Sequence, residues 1–308
     1  MIVKVTSLSF SKNEILRTEL LELFPEAKFN ETGALLEGEA LYEFVKDADV
    51  LVVGLEIIDR KLIDRCPKLR MIAKYGVGLD SIDVEYAKAK DIYIGWTGGV
   101  NRLSVAEMAL GFMITTIRNI AFTSMDLKNF VWNKSGGFNL SGKTIGIIGL
   151  GHIGKELVRL LKPFECNILV NDIVEQVKFC KDNNLQSVSK EEIYKQADII
   201  TVHTPLTPQT KYLFDLETFT KMKESSILIN TARGAIVNNE DLKVALKSKM
   251  ILAAAMDTYE KEPDIDKELI SIPNLYCTPH IGGNSRESIL LMGRSAIGHI
   301  EKFFGDKK

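Results

Sequence analysis

Short runs of Ile, Val and Leu alternate with longer stretches whose apolar residues recur every three or four positions along most of this chain. IVKV is followed by NEILRTELLELF, DVLVVG by DRKLIDRC, and LRMIAKYG by SIDVEYAKAK and then IYIGW. Near-continuous apolar runs of that length read as strands buried on both faces, and the 3.6-residue repeats between them read as helices. After Trp96, TGGVN has the composition of a hinge, and a long helical segment runs from near Ser104 to Ile120. Its opening, SVAE, reads as a capping box: the Ser104 hydroxyl accepts from the Glu107 N–H and the Glu107 carboxylate reaches back. A second loop, NKSGGFNLSGK, precedes the strand TIGIIG. The pattern then gives helix KELVRLLKPF, strand NILVND, helix KEEIYKQA, strands DIITVH and SSILINTA, and helix NEDLKVALKS. Strands LAAAMDTY and LYCTPH and a last helix, RESILLMGRSAIGHIEKFF, complete the series.

Strands alternating with helices imply an α/β chain with parallel sheets covered on both faces. Two such series, separated by a glycine-rich hinge and a long helix, predict two doubly wound domains.

Bulk properties narrow the function without naming it. A length of 308 residues suits two domains, and 45% hydrophobic with 26% charged residues is ordinary for a globular chain. A net charge of −2 gives no electrostatic reason to expect nucleic acid or an anionic membrane as partner. The N-terminus carries no cleavable signal pattern. The most apolar stretch, VAEMALGFMITTI, contains Glu107 and ends at Arg118, too short and too polar to span a bilayer. Cys66, Cys166, Cys180 and Cys277 are widely spaced with no CxxC pair, so neither a zinc site nor a disulfide framework is expected, and a reducing cytoplasm fits best.

Chemistry first appears in TIGIIGLGHIGKELVRLL, where Gly149, Gly151 and Gly154 have GxGxxG spacing between a strand and a helix. In that context Gly149 permits a tight turn, Gly151 lets backbone approach a pyrophosphate, and Gly154 lets helix and strand pack closely. His152 and Ile153 then offer backbone N–H groups at the positive end of the helix dipole. The next strand ends in Asp172, about 20 residues on, where a carboxylate accepts from ribose hydroxyls and repels a 2′-phosphate. NAD is therefore expected rather than NADP.

In a doubly wound sheet ligands sit beyond the carboxyl ends of the strands. DIITVH ends in His203, Thr204 and Pro205; ILINTA ends in Arg233; LAAAMDTY carries Asp257 and leads to Glu260 and Glu262; LYCTP ends in His280. An arginine, a glutamate and a histidine on the rim of a dinucleotide site suit hydride transfer. The histidine takes the proton from the hydroxyl, a carboxylate on its other nitrogen fixes the tautomer, and the arginine grips a substrate carboxylate. Further cofactor contacts are expected from Thr210, Thr231, Ala232, Gly282 and Gly283.

With these residues in place the sequence resembles the D-isomer-specific 2-hydroxyacid dehydrogenases. GKTIGIIGLGHIGKELVRLLKPF, ADIITVHTPLTPQTKYLF, ILINTARGAIVNNEDLKVAL, AAAMDTYEKEP and TPHIGG carry the likeness in the second domain. KYGVGLDSIDVEYAKAK and TGGVNRLSVAEMALG carry it in the first. The resemblance implies two domains, flavodoxin-like and Rossmann-like, with a cleft between them: residues 1–99 plus 285–308 bind substrate and residues 100–284 bind NAD. It implies Arg233 as the group that binds and polarises the 2-oxo acid, Glu262 as the orienting carboxylate and His280 as the acid/base. Glu262 is chosen over Glu260 because the family's glutamate directly precedes the proline. A homodimer is also implied.

Within the family the chain is most similar to the phosphoglycerate dehydrogenases, through KYGVGLDSID and VNRLSVAE. That likeness implies a substrate site including Lys74, Gly76, Val77, Gly78, Asn101 and Arg102, with Lys74 and Arg102 as phosphate cations. It places the reaction, D-3-phosphoglycerate to 3-phosphohydroxypyruvate, in serine biosynthesis. The chain departs from the pattern at Val52–Ile57, which has no arginine where some phosphoglycerate enzymes have one. It also ends soon after its last helix, so the expectation is a form without the serine-sensing domain. Hydroxypyruvate, glyoxylate or D-lactate reduction is the alternative, and formate oxidation is disfavoured because those relatives carry glutamine where Glu262 stands. A different class is an NADH-sensing binding protein like the corepressors that resemble this family. His203 reads as a cofactor-pocket or structural residue, His299 as a surface residue, and Trp96 and Trp132 as packing residues.

Overall fold

The computed structural model describes residues 1–305. It divides into two compact units: Met1–Asn101 with the chain from Asn284 onward, and Arg102–Gly283.

The first unit is a five-stranded parallel sheet of β1 (Val3–Val5), β2 (Lys28–Phe29), β3 (Val50–Val53), β4 (Met71–Lys74) and β5 (Tyr93–Gly95), in the order β2-β1-β3-β4-β5. That is a doubly wound order, reversing next to β1. Every residue of β1, β3 and β4 is buried, which is why their apolar runs do not alternate. Asn13 caps the Glu14–Leu23 helix by accepting from the Leu16 N–H. This helix buries Leu16 and Leu20 in one core with Met292, Ala296, Ile297 and Ile300 of the Arg286–Gly305 helix. A Cβ on Gly293 would stand 2.3 Å from a Leu16 methyl, so the two helices meet because that residue is glycine. The last helix thus completes the core of the unit begun at the N-terminus.

The second unit is a seven-stranded parallel sheet of β6 (Thr144–Ile148), β7 (Asn167–Asn171), β8 (Gln186–Ser187), β9 (Ile199–Val202), β10 (Ile227–Asn230), β11 (Ala253–Met256) and β12 (Leu275–Cys277). Its order is β12-β11-β10-β9-β6-β7-β8. The first strand, β6, lies between β7 and β9, so the winding reverses beside it and ligand is expected beyond its carboxyl end. Both units are therefore α/β with wholly parallel sheets, as the hydrophobic pattern predicts.

The long helix differs in detail. It spans Arg102–Ile117 and stops before Asn119, which takes φ +54°; a separate helix, Ile120–Lys128, follows. Ser104 is inside the first turn instead of capping it, and its hydroxyl donates to the Gly282 carbonyl at 2.6 Å. Among the described residues no single helix is long and apolar enough to cross a membrane; Arg102–Ile117 and Ile120–Lys128 reach that length and composition only as a pair bent by 61°. Trp132, expected to pack, is 78% exposed. His299, expected at the surface, is half-buried and pairs with the Thr97 hydroxyl at 2.8 Å. The two-residue strands β2 and β8 and the short helices Gly38–Val45, Val177–Asp182 and Leu216–Lys221 are too brief to leave a period in the sequence.

Candidate active site

The glycine loop leaves β6 in a shape that two of its three glycines make possible. Gly149 has φ +99°, and a Cβ there would lie 2.6 Å from the His203 carbonyl oxygen. A Cβ on Gly154 would lie 2.2 Å from the Gly149 carbonyl oxygen. Gly151 is different: its φ is −77° and a Cβ would meet nothing within 4 Å. The fold does not require glycine at that point, but close approach of a ligand's phosphates does. His152 begins the helix His152–Leu161, Ile153 packs against the core beneath it, and no side chain caps its N-terminus.

Asp172, at the end of β7, holds this loop. One carboxylate oxygen accepts from the Leu150 N–H at 2.6 Å and the other from the Val174 N–H at 2.8 Å. Each oxygen keeps a second lone pair for a ribose hydroxyl.

Beyond β9 and β10 stand polar atoms that the protein itself leaves unsatisfied. His203 shares a 3.0 Å hydrogen bond between Nε2 and the Thr201 hydroxyl, while its Nδ1 is buried with no partner. Burial pushes the ring down to about 3, so it is neutral. The hydroxyls of Thr204 and Thr231 are likewise buried and unpaired. Orphaned polar atoms cost free energy unless a ligand completes them, and here they stand on the rim that carries the open Gly151. Residues and chemistry fit a dinucleotide. Thr210 and Pro205 form a local turn in which the Thr210 hydroxyl donates to the Pro205 carbonyl at 2.7 Å. The Ala232 N–H is held by the Asn230 side chain at 3.0 Å.

Arg233, Glu262 and His280 come together in the second unit around the backbone of Tyr259. Gly234 follows Arg233, and a Cβ there would fall 1.9 Å from the Tyr259 carbonyl carbon. Only glycine lets the arginine segment close against that strand end. The Arg233 guanidinium donates to the Ala232 carbonyl at 2.8 Å. The Tyr259 N–H donates to Glu262 Oε1 at 2.8 Å, and Glu262 Oε2 stands 2.6 Å from His280 Nδ1.

The electrostatics follow from this geometry. Burial favours the neutral form of Glu262, but the His280 contact, the Tyr259 N–H and the Arg233 charge outweigh it and hold the carboxyl below its usual range. The Glu262 hydrogen bond raises the His280 pKa, against burial and against Arg233. The Arg233 charge acts on both members of the pair, which places the three groups in one electrostatic neighbourhood.

Asp257, expected at the cofactor, is 1% exposed and holds the histidine's loop. Its Oδ1 accepts from the Thr278 hydroxyl at 2.5 Å and the Ile281 N–H at 2.8 Å; its Oδ2 accepts from the Gly282 N–H at 2.7 Å. Gly282 is buried and Gly283, half-buried, follows it. The sequence carries no site signal for Ser104, and for Tyr259 only its place between Asp257 and Glu262.

In the first unit the expected substrate residues stand at and just beyond the end of β4 and at the unit's edge. The Lys74 ammonium is buried and donates to the Gly54 carbonyl. Gly76 has φ +127°, and the Val77 carbonyl accepts from the Trp96 indole at 2.9 Å, with Gly78 next in the turn. Asn101 has a buried, unpaired side-chain oxygen. Arg102, in the second unit, pairs with Glu156 at 3.3 Å.

The profile of the D-isomer specific 2-hydroxyacid dehydrogenase NAD binding domain matches residues 110–282. This chain belongs to the D-2-hydroxyacid dehydrogenase family. Its NAD-binding domain is that of the family, and NAD is the cofactor. It is 36% identical to a D-3-phosphoglycerate dehydrogenase from Methanocaldococcus jannaschii over 93% of this chain, and spans 56% of that protein's length. It is 36% identical to a hydroxypyruvate reductase from Thermotoga maritima over 89% of each chain. An NAD-dependent formate dehydrogenase from Staphylococcus aureus, solved in complex with NAD, superposes with a TM-score of 0.84 at 28% identity, covering 100% of this chain and 96% of that one.

Proposed function

We propose that this chain is an NAD-dependent dehydrogenase that interconverts a 2-oxo acid and a D-2-hydroxy acid. The 2.6 Å pair between His280 Nδ1 and Glu262 carries the reading. Bound NAD(H) supplies or receives the hydride at C2. Gly149, Gly151, Gly154, Asp172, Thr204 and Thr231 hold the cofactor. Arg233 binds the substrate carboxylate and the oxygen on which negative charge develops. Glu262 fixes the proton of His280 on Nδ1 and favours the imidazolium, so Nε2 delivers the proton in reduction and takes it in oxidation.

For the substrate, an unphosphorylated 2-oxo acid of the hydroxypyruvate or glyoxylate kind is the better supported. Lys74, the expected phosphate cation, is buried against Gly54, and Arg102 is paired with Glu156. A second reading, 3-phosphohydroxypyruvate in serine biosynthesis, draws on the likeness to the phosphoglycerate dehydrogenase and on KYGVGLDSID. The test follows NADH oxidation with phosphohydroxypyruvate, hydroxypyruvate, glyoxylate and pyruvate, with His280→Ala beside the parent. Reading and residue stand together if turnover is clear in the parent and falls roughly 10²- to 10⁴-fold in the variant. Tight NADH binding with no turnover of any acid favours the NADH-sensing binding protein instead.

We also infer a homodimer. Phe130, Trp132 and Phe138 are 98, 78 and 57% exposed, next to the exposed Met125 and Leu127. Apolar side chains gathered in one stretch mark an interaction surface. Light scattering on the parent and on Phe130→Ser/Trp132→Ser tests this; a monomeric parent would refute it.

A further inference from the structure

The second unit starts at Arg102 and ends at Gly283, so the chain enters and leaves it within two residues of one hydrogen bond. That bond joins the Ser104 hydroxyl to the Gly282 carbonyl at 2.6 Å, across 178 residues of sequence. Its donor lies in the first turn of the Arg102–Ile117 helix, and its acceptor lies two residues beyond His280.

The loop from Thr278 to Gly283 has two kinds of group to satisfy. Asp257 takes the Thr278 hydroxyl and the Ile281 and Gly282 N–H groups, while the Thr278 N–H goes to the Met256 carbonyl and the Thr278 carbonyl accepts from the His280 N–H and the Tyr259 hydroxyl. The Gly282 carbonyl goes to Ser104. The peptide groups on either side of the Gly282 Cα are therefore each pinned, one by Asp257 just after β11 and one from the long helix. A Cβ on Gly282 would lie 2.9 Å from Asp257 Oδ2, so the loop has no slack toward that side. His280 itself has φ +53°, a left-handed conformation that costs a non-glycine residue free energy and persists where its surroundings enforce it. Asp257 alone leaves the peptide after Gly282 unheld, and rotation there moves the chain that carries the imidazole.

We propose that Ser104 is a positioning residue for His280: its hydroxyl, through Gly282, fixes the loop that sets the imidazole against Glu262. This rests on the reading of His280 as the acid/base. The hydroxyl replaces the helix cap that the sequence pattern suggests for the same residue.

The test compares Ser104→Ala and Ser104→Thr with the parent, in the full chain, for kcat and KM with the best 2-oxo acid, the pH profile of kcat and NADH binding by fluorescence. The expected result for Ser104→Ala is a loss of about tenfold in kcat with a moved alkaline limb and NADH binding within about twofold of the parent. Ser104→Thr, which keeps the hydroxyl, restores the rate and the limb. If the alanine variant does not fold, Ser104→Cys, similar in size but a weak donor, takes its place. Parent-like kcat and pH profile in the alanine or cysteine variant overturns the proposal, as does a threonine variant as impaired as alanine. A parent with no turnover refutes the functional reading and not this one. The His280 ring signal, followed by NMR through a pH titration in parent and Ser104→Ala, then decides: a changed signal and titration support positioning, and identical ones overturn it.

Discussion

Gly234 lies so close to Tyr259 that a single added methyl would fall 1.9 Å from the tyrosine's carbonyl carbon. The contact joins the residue after Arg233 to the residue whose N–H holds Glu262. Replacing Gly234 by alanine forces those two segments apart. The expected cost is about 2–3 kcal/mol of stability, in the range of overpacked sites, with Arg233 displaced as well. Thermal unfolding and KM for the 2-oxo acid measure the two effects, and a parent-like KM would show that the contact does not set the arginine.

The His280–Glu262 pair fixes a pH dependence. Glu262 raises the His280 pKa, so the imidazolium that the proposed mechanism uses in reduction persists to higher pH and is lost as pH rises through that value. Glu262→Gln removes the charge, and the alkaline limb of reduction moves to lower pH, with kcat lower by about tenfold. Oxidation needs the neutral ring, so its acid limb moves to lower pH as well. A pH–rate profile in both directions checks the sign, and a limb that stays in place breaks the assignment of Glu262.

Asp257 is a test of loop geometry. Asparagine there sets an amide where the aspartate accepts from the Ile281 and Gly282 N–H groups and the Thr278 hydroxyl. One amide oxygen cannot serve both edges, so kcat falls, by about tenfold or more for a loss of one to two charged hydrogen bonds. NADH binding measured alongside separates the loop from the cofactor: an equal loss in affinity would return Asp257 to the cofactor role that its motif suggests.

Asp172→Ala removes the acceptor of the Leu150 and Val174 N–H groups together with the charge proposed to face the ribose. NADH affinity is expected to fall roughly tenfold to a hundredfold, and the preference for NADH over NADPH to shrink because the repulsion of a 2′-phosphate is gone. Fluorescence titrations with both cofactors measure it.

Much of this was legible in the chain. The unbroken apolar runs of β3, β6 and β10 announced buried parallel strands, and the glycine spacing announced the dinucleotide loop, because burial and close approach each restrict residue type directly. What the sequence concealed was the assignment of hydrogen bonds between distant segments. Ser104 read as a helix cap, since SVAE satisfies that local rule, while its hydroxyl serves a carbonyl 178 residues away. Asp257 reads as a cofactor contact, and its hold on Thr278, Ile281 and Gly282 has no sequence signal, because only geometry shows which donors reach a carboxylate near a strand end. The apolar pattern runs past the end of the long helix, which Asn119 sets by entering the left-handed region, as asparagine does more readily than most residues.

The anchoring of the histidine's loop by Asp257 bears on timing. Amide hydrogens of Ile281 and Gly282 that are bonded to a buried carboxylate exchange with solvent only when the loop opens. The loop's conformational entropy is therefore surrendered during folding and not during each encounter with substrate. With His280 in the proposed acid/base role, substrate meets a proton donor whose place is already set, and the pace of turnover passes to whatever else must move.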